Sequence, residues 1–209
     1  MKILNFGSLN IDYVYSVDHF VQKGETISSS QMNIFSGGKG LNQSVALGRA
    51  GAKVFHAGRI GKDGEFLVEQ LKEAGVNTDL VVVDEDCSTG HAIIQNDAEG
   101  DNCILLYGGA NQRITKEQID AALEQFDAGD YLVLQNEISN LPYLMEKAAE
   151  KQMKIVLNPS PMDEKIKALP LDKVTLFFVN EIEAAQILGQ KELESTETVS
   201  YTHLRAHET

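Results

Sequence analysis

The feature that most constrains the fold of this chain is an alternation of short apolar segments with helical patterns, regular from residue 111 onward. Three apolar segments are typical of buried parallel strands, namely 131–135, 154–158 and 175–179. Helical patterns accompany them at 115–126, where Thr115 to Gln118 match a capping box, at about 140–152 and at 180–188. Because such alternation is typical of α/β proteins, we predict a mainly parallel sheet with helices on both faces.

The first half of the chain contains segments that leave this main sheet. Residues 12–35 include an extended stretch with few core-type side chains, and two apolar segments at 89–96 and 102–107 flank a turn-forming sequence. We predict that segments from 12–35 and 88–107 form one small β-sheet lid. The other predicted elements are strands at 2–7, 53–60 and 79–83 and helices at about 38–50 and 63–74, the second with Asp63 as its N-cap.

A glycine-rich segment, Ser36 to Gln43, lies where the lid returns to the main domain. Glycine lets backbone approach a ligand closely, and the helix that begins here offers free N–H groups and a partial positive charge. Asn42 adds an amide that both donates and accepts. These features suit a polyhydroxylated or anionic small molecule, but a tight turn that only starts a helix would also explain the glycines. The spacing fits neither a Walker loop nor a dinucleotide fingerprint.

Polar residues follow several of the predicted parallel strands. They are Asn10, Gln135, Glu137, Asn158 and Asn180. Because ligands of parallel α/β sheets bind beyond the carboxyl ends of the strands, we expect a binding site there.

Bulk composition excludes several classes of partner. The formal net charge of −13 argues against nucleic acid and anionic membranes, and no apolar run is long enough to cross a bilayer. Two cysteines make neither a disulfide framework nor a four-ligand zinc site. We therefore expect a cytoplasmic protein that acts on a small molecule.

Six short segments resemble, in the same order, those of the ribokinase family of sugar kinases, over residues 1 to about 195. They are Gly7 to Asp12, Gly24 to Thr26, Ser36 to Gln43, Gly108 to Asn111, Asn158 to Pro161 and Asn180 to Glu183. The resemblance implies a ribokinase-like α/β fold and ATP-dependent phosphorylation of D-ribose at its 5-hydroxyl. It also implies a homodimer in which the two β lids clasp each other over the sugar.

The same resemblance implies roles for individual residues. The residues expected to bind the sugar are Asn10, Asp12, Gly38, Lys39, Gly40, Asn42 and Glu137. Asn180 and Glu183 are expected to organise Mg²⁺ and the nucleotide phosphates, with Glu183 reaching the metal through water. Without the resemblance, Asp12 and Glu137 could be solvated loop carboxylates, and Asn180 a simple helix N-cap.

The chain departs from the family after Glu183. Family members carry a G-A-G-D segment there, which supplies an anion hole and the general base, and residues 184–209 hold nothing similar. We expect the base, the adenine pocket and the loop for a monovalent cation (K⁺) to lie beyond the end, so residues 1–198 form an incomplete domain. We predict that the 209-residue chain itself is inactive.

The segment 199–209 continues no strand or helix pattern and resembles translated adapter sequence, so we expect it to be non-native. A metal site at its His203 and His207 is correspondingly disfavoured, although the spacing suits one.

Three alternative functions remain open from the sequence. The chain could belong to another kinase of the same family, acting on fructose, a nucleoside or a keto-deoxy sugar acid. It could be a non-catalytic sugar-binding protein. A dinucleotide-dependent oxidoreductase is disfavoured because the glycine fingerprint is absent.

Overall fold

The computed structural model describes residues 1–189, and its main sheet is parallel throughout. The strands of this sheet are β1 (Ile3–Phe6), β4 (Val54–Gly61), β5 (Asn77–Asp84), β8 (Tyr131–Gln135), β9 (Lys154–Asn158) and β10 (Val174–Phe177). Their spatial order is β10-β9-β8-β1-β4-β5, and each neighbouring pair is parallel. The predicted α/β class is confirmed.

Helices cover both faces of this sheet. They are α1 (Lys39–Arg49), α2 (Glu65–Glu73), α3 (Lys116–Leu123), α4 (Leu141–Glu150) and α5 (Glu181–Ile187). Alternate side chains of β1 point to opposite faces: Leu4 and Phe6 join the core formed with α3 and α4, and Ile3 packs against the core formed with α1 and α2. The two cores therefore hold the sheet between two helical layers.

A second, four-stranded sheet forms the lid. Its strands are β2 (Asn10–Ser16), β3 (Gln31–Gly37), β6 (Gly90–Asn96) and β7 (Asn102–Tyr107). The order is β3-β2-β6-β7, with β2 and β6 parallel and the outer pairs antiparallel. The prediction that 12–35 and 88–107 share one small sheet is confirmed, although β3 begins only at Gln31.

Two local predictions meet different outcomes. Thr115 caps α3 and accepts a hydrogen bond from the Gln118 N–H at 3.2 Å, as its sequence indicates. The prediction that Asp63 caps α2 is wrong, because the cap position is Gly64 and no side chain bonds there. The Asp63 carboxylate instead accepts from the N–H and hydroxyl of Thr89, at 2.9 and 2.6 Å. It therefore ties the start of the lid strand β6 to the main domain.

Among residues 1–189, no helix combines the length and apolarity needed to cross a membrane. The segment 199–209, with His203 and His207, lies outside the described residues.

Candidate functional site

The centre of the site is the carboxylate of Glu137, which follows β8. It accepts a hydrogen bond from the Ser8 hydroxyl and a second from the backbone N–H of Lys39, at 3.0 Å. The Lys39 ammonium lies 3.7 Å from the other carboxylate oxygen. Because β1 and β8 are parallel neighbours, the loops after them meet here. Glu137 thus joins the ends of two strands to the start of helix α1.

The first N–H groups of α1 are all used within the protein. Lys39 donates to Glu137, Gly40 donates to the Ser8 hydroxyl at 3.2 Å, and Leu41 donates to the Ser8 carbonyl at 2.9 Å. The expectation that these donors are free for an anionic ligand is therefore wrong. Ser8 and Glu137 supply the acceptors that these N–H groups lack within the helix.

The glycines of this segment act by letting backbones approach each other. Gly38 has a φ of 96°, and a Cβ there would lie 2.8 Å from the Ser8 carbonyl oxygen. Gly40 is buried, and a Cβ on it would lie 2.4 Å from the Ser8 backbone nitrogen. Both positions exclude a side chain. The role of Gly40 in this structure is close packing against Gly7 and Ser8, which follow β1.

Asn10 is buried at the start of the lid strand β2, and its side chain is held by Asn111. The Asn10 Oδ1 accepts a hydrogen bond from the Asn111 Nδ2 at 2.8 Å. No described residue accepts from the Asn10 Nδ2, and Asn10 lines a cavity. Sequence analysis gave Asn111 no role, although it belongs to one of the family-like segments.

Asp12 lies two residues further along β2, and its carboxylate accepts no hydrogen bond from a described residue. It lies over Gly37, where a Cβ would come within 2.2 Å of the Asp12 Oδ2. Burial, and secondly the negative charge of Glu137, raise the pKa of Asp12 above its ordinary value. An unpartnered, half-buried carboxylate is well suited to accept hydrogen bonds from ligand hydroxyls.

A cavity of about 320 Å³ opens between the strand ends and the lid. Asn10 and Glu137 line it, as expected of sugar-binding residues, and further polar groups come from residues that sequence analysis did not single out. These are Asn111, Gln112, Asn136, Asp163 and Lys165. The other expected sugar contacts lie outside this lining, namely Asp12, Gly38, Lys39, Gly40 and Asn42. Asn42 is exposed and its side chain bonds to no described residue.

Beneath the glycine-rich segment lies a buried polar layer. The Gln135 Nε2 donates to the Asn5 Oδ1 at 2.9 Å and to the Gln43 Oε1 at 2.7 Å, and the Asn5 Nδ2 donates to the Gly40 carbonyl at 3.0 Å. Sequence analysis placed Gln135 among the ligand-facing residues at the sheet edge. That interpretation is wrong, because Gln135 is buried, with only 1% of it exposed. It supports the site from below.

The same layer contains a neutral histidine. His56 is fully buried, and its Nδ1 lies 2.7 Å from the Ser44 hydroxyl. Burial lowers the pKa of His56 to about 4, and a hydrogen bond with the Gly7 backbone raises it by a smaller amount. His56 is therefore uncharged at neutral pH.

Asn180 and Glu183 begin helix α5 as a complete capping box. The Asn180 Oδ1 accepts from the Glu183 N–H at 2.8 Å, and the Glu183 Oε2 accepts from the Asn180 N–H at 3.1 Å. The Glu183 Oε1 also accepts from the Ser160 hydroxyl. Each carboxylate oxygen thus keeps a free lone pair, which suits a hydrogen bond from metal-bound water.

Within residues 1–189, no three His, Cys, Asp or Glu side chains come together to hold a metal ion directly. The carboxylate oxygens of Glu183 are hard ligands of the kind that Mg²⁺ prefers.

Ser160 connects this helix start to the cavity. The Ser160 carbonyl accepts from the Asn136 N–H at 3.1 Å, and the Asn136 Nδ2 donates to the Pro161 carbonyl at 2.7 Å. Asn136 adjoins Glu137, so the expected phosphate end and the expected sugar end of the site are joined by one loop.

Comparison with known proteins identifies relatives of this chain. A ribokinase of Staphylococcus aureus is 35% identical over 199 residues, which cover 91% of this chain and 64% of the relative. The chain therefore spans less than two thirds of that relative's length.

Two solved structures show the same fold. The ribokinase of Cryptococcus neoformans in complex with ADP has a TM-score of 0.76 at 37% identity, covering 91% of this chain and 63% of the other. The ribokinase of Arabidopsis thaliana complexed with ribose and ATP has a TM-score of 0.81 at 27% identity, covering 95% and 66%. The family described as pfkB family carbohydrate kinases matches residues 1–208, and the chain belongs to that family.

Proposed function

We propose that this chain is the sugar-binding part of a kinase that transfers a phosphoryl group from ATP to the 5-hydroxyl of D-ribose. The observation that carries the proposal is the convergence of Asn10, Asp12 and Glu137 where the lid meets the strand ends. Together they offer a donor and two carboxylates to a polyhydroxylated ligand. The resemblance to a ribokinase that was crystallised with ribose and ATP supports the choice of ligands.

The sugar would be held mainly by acceptors. The Asp12 carboxylate has room for two hydroxyl hydrogen bonds, because no described residue uses it. Glu137 is fixed by Ser8 and Lys39 and keeps a lone pair for a further hydroxyl. Asn42 and the Lys39 ammonium complete the proposed contacts from helix α1, with Gly38 and Gly40 allowing the approach.

The nucleotide phosphates would lie near Asn180 and Glu183. Glu183 would hold Mg²⁺ through water, and the ion would supply neutralisation of the phosphoryl charge. In the same proposal, the general base, the adenine pocket and the K⁺ site lie outside the part of the kinase that this chain represents. We therefore propose that the 209-residue chain binds sugar without phosphorylating it, and that the complete protein acts in the cytoplasm.

We propose that the lid also forms a homodimer. In the described chain the lid exposes large apolar side chains that a soluble monomer would leave in water. They are Met32, Ile34, Phe35, Ile93, Ile104, Leu105 and Leu106. Phe35, Ile104 and Leu106 share a face with Asp12, since register pairs them across the strands. A second copy packed on that face would cover both the apolar surface and the sugar.

The proposal is tested by calorimetric titration of the 209-residue chain with D-ribose, D-fructose, adenosine and a keto-deoxy sugar acid. We expect heat of binding with ribose and much weaker binding of the others. Binding of fructose or adenosine in preference to ribose would transfer the proposal to another kinase of the family. Binding of none of the four would overturn it.

A matched pair of variants locates the binding site. Asn42→Ala removes an exposed amide that bonds to no described residue, so stability should change by less than about 0.5 kcal/mol. Ribose affinity should nevertheless fall, by roughly tenfold for one lost hydrogen bond. Gln70→Ala, on helix α2, should change neither property.

A further inference from the structure

The side chain of Asn111 is fully used in bonding to two consecutive residues at the start of the lid. Its Oδ1 accepts from the Leu9 N–H at 3.1 Å, and its Nδ2 donates to the Leu9 carbonyl at 3.2 Å and to the Asn10 Oδ1 at 2.8 Å. Asn111 is only 2% exposed. It lies in the 3₁₀ turn Gly109–Arg113, directly after the last lid strand.

The backbone of Leu9 fixes which way the Asn111 amide points. A backbone N–H can only donate and a carbonyl can only accept, so Asn111 must turn its oxygen to the N–H and its nitrogen to the carbonyl. The same nitrogen then meets Asn10, which must present its oxygen. The polarity of the Asn10 amide is therefore set by a neighbour whose own polarity cannot be reversed.

The surroundings leave no space for another arrangement. A Cβ on Gly90 would lie 2.2 Å from the Asn111 Nδ2 and 2.5 Å from the Asn10 Oδ1. Gly90 begins strand β6 and is paired with Asn10 in the lid sheet. The pair of amides is thus packed between the base of the lid and the end of β1.

We propose that Asn111 is a positioning residue that makes Asn10 a hydrogen-bond donor toward the cavity. With its Oδ1 occupied, Asn10 has only its Nδ2 left for a ligand, and no described residue accepts from that nitrogen. The donor complements the carboxylates of Asp12 and Glu137, which can only accept when ionised. The identity of the ligand rests on the proposed function, whereas the orientation of Asn10 does not.

The orientation is tested without sugar, by hydrogen exchange of side-chain amides in ¹⁵N-labelled chain observed by NMR. We expect the Asn111 amide protons to exchange slowly and the Asn10 amide protons to exchange quickly. In Asn111→Asp, a carboxylate replaces the donor, so the Asn10 amide should reverse and its protons become protected. Slow exchange of Asn10 in the parent chain, or no change in Asn111→Asp, would overturn the proposal.

Ribose binding gives the second readout. Asn111→Asp should turn the Asn10 oxygen toward the cavity and weaken ribose binding by roughly tenfold or more. Asn102→Asp, an exposed change of the same chemistry on the lid, should have no effect. An affinity for Asn111→Asp equal to that of the parent chain would contradict the proposal.

A second variant guards against misfolding of the first. Asn10→Asp keeps an oxygen for Asn111 and replaces the donor by a second acceptor. Its added charge is buried near Asp12 and Glu137, so the melting temperature should fall, and ribose affinity should fall at least as far as in Asn111→Asp. Full affinity in this variant would refute the donor role. If the parent chain binds no sugar, the proposed function fails, and the exchange measurement still decides the orientation of Asn10.

Discussion

The carboxylate of Glu137 accepts a hydrogen bond from the backbone N–H of Lys39 at 3.0 Å, although 98 residues separate the two in sequence. This bond occupies a helix donor that would otherwise lack an acceptor. It also places the Lys39 ammonium 3.7 Å from the same carboxylate group. Glu137 therefore has two tasks, since it holds the start of helix α1 in place and faces the proposed sugar site.

Glu137→Gln should weaken both tasks. A neutral amide forms weaker bonds to the Lys39 N–H and the Ser8 hydroxyl than a carboxylate does, because a hydrogen bond to a charged group contributes about 1.5–3 kcal/mol and a neutral one about 0.5–1.5 kcal/mol. We expect a loss of ribose affinity of roughly 10- to 100-fold, measured by calorimetry, together with a lower melting temperature. Glu146→Gln, an exposed change on helix α4, is the control. Equal affinity in the two variants would contradict a sugar-binding role for Glu137.

Asp12→Asn should raise the stability of the chain at neutral pH while it weakens ribose binding. Burial, then the charge of Glu137, raises the pKa of Asp12, so the folded chain holds that proton more tightly than the unfolded chain does. The free energy of unfolding therefore falls as pH rises from the ordinary value of 3.8 through the raised one. At neutral pH the ionised carboxylate destabilises the fold, and its replacement by an amide should relieve that cost.

We accordingly expect Asp12→Asn to melt at a higher temperature than the parent chain near pH 7 and to bind ribose far less tightly. The stability gain should shrink as pH falls toward about 4, because the parent carboxyl is then protonated. Asp18→Asn, an exposed change on the same lid segment, should alter neither quantity. A variant that lost stability at neutral pH would show that the Asp12 charge has a partner.

The fold class, the lid and the caps of α3 and α5 could be predicted from sequence because their signals are local. Strand and helix periodicity appears within a few residues, and Thr115 and Asn180 bond to N–H groups three residues ahead. The family resemblance then singled out Asn10 and Glu137. Both line the cavity that the structure forms.

What could not be predicted depends on distant partners. Asp63 is a residue type that often caps helices, but its carboxylate accepts a hydrogen bond from Thr89 instead. Gln135 lies at the end of a strand, where ligands of such sheets usually bind. Its amide is instead buried, because it donates hydrogen bonds to Asn5 and Gln43. Asn111 gave no signal of its role, since that role consists of bonds to residues about 100 positions earlier.

The proposed dimer makes opposite predictions for two adjacent residues of strand β7. Ile104 is paired with Ile94 and lies on the Asp12 face, whereas Leu105 is paired with Ile93 and lies on the other face. Both are exposed, at 51% and 67%. Ile104→Asp should place a charge in the proposed interface and give monomers, while Leu105→Asp should leave the dimer intact.

Light scattering of eluted size-exclusion fractions measures the difference directly. A monomeric parent chain would refute the dimer proposal. Dissociation caused by Leu105→Asp alone would move the interface to the opposite face of the lid, away from Asp12. It would thereby remove the proposed covering of the sugar.

His56 should govern how stability depends on mildly acidic pH. Burial lowers its folded-state pKa to about 4 from an ordinary 6.5, so between these values the unfolded chain binds the extra proton. The free energy of unfolding should therefore fall with decreasing pH, by about 1.4 kcal/mol between roughly pH 7.5 and 5.5 from this group alone. The loss should be fully present once pH drops below the folded pKa.

His56→Gln should remove this dependence, whatever it does to stability at neutral pH, because a glutamine amide does not titrate and can still bond to Ser44. Urea titrations at the two pH values measure the change in unfolding free energy for each protein. The parent chain, titrated in parallel, should show the full pH dependence. If His56→Gln kept it too, the acid sensitivity would have to arise elsewhere, and the buried layer beneath the glycine-rich segment would tolerate a charged histidine.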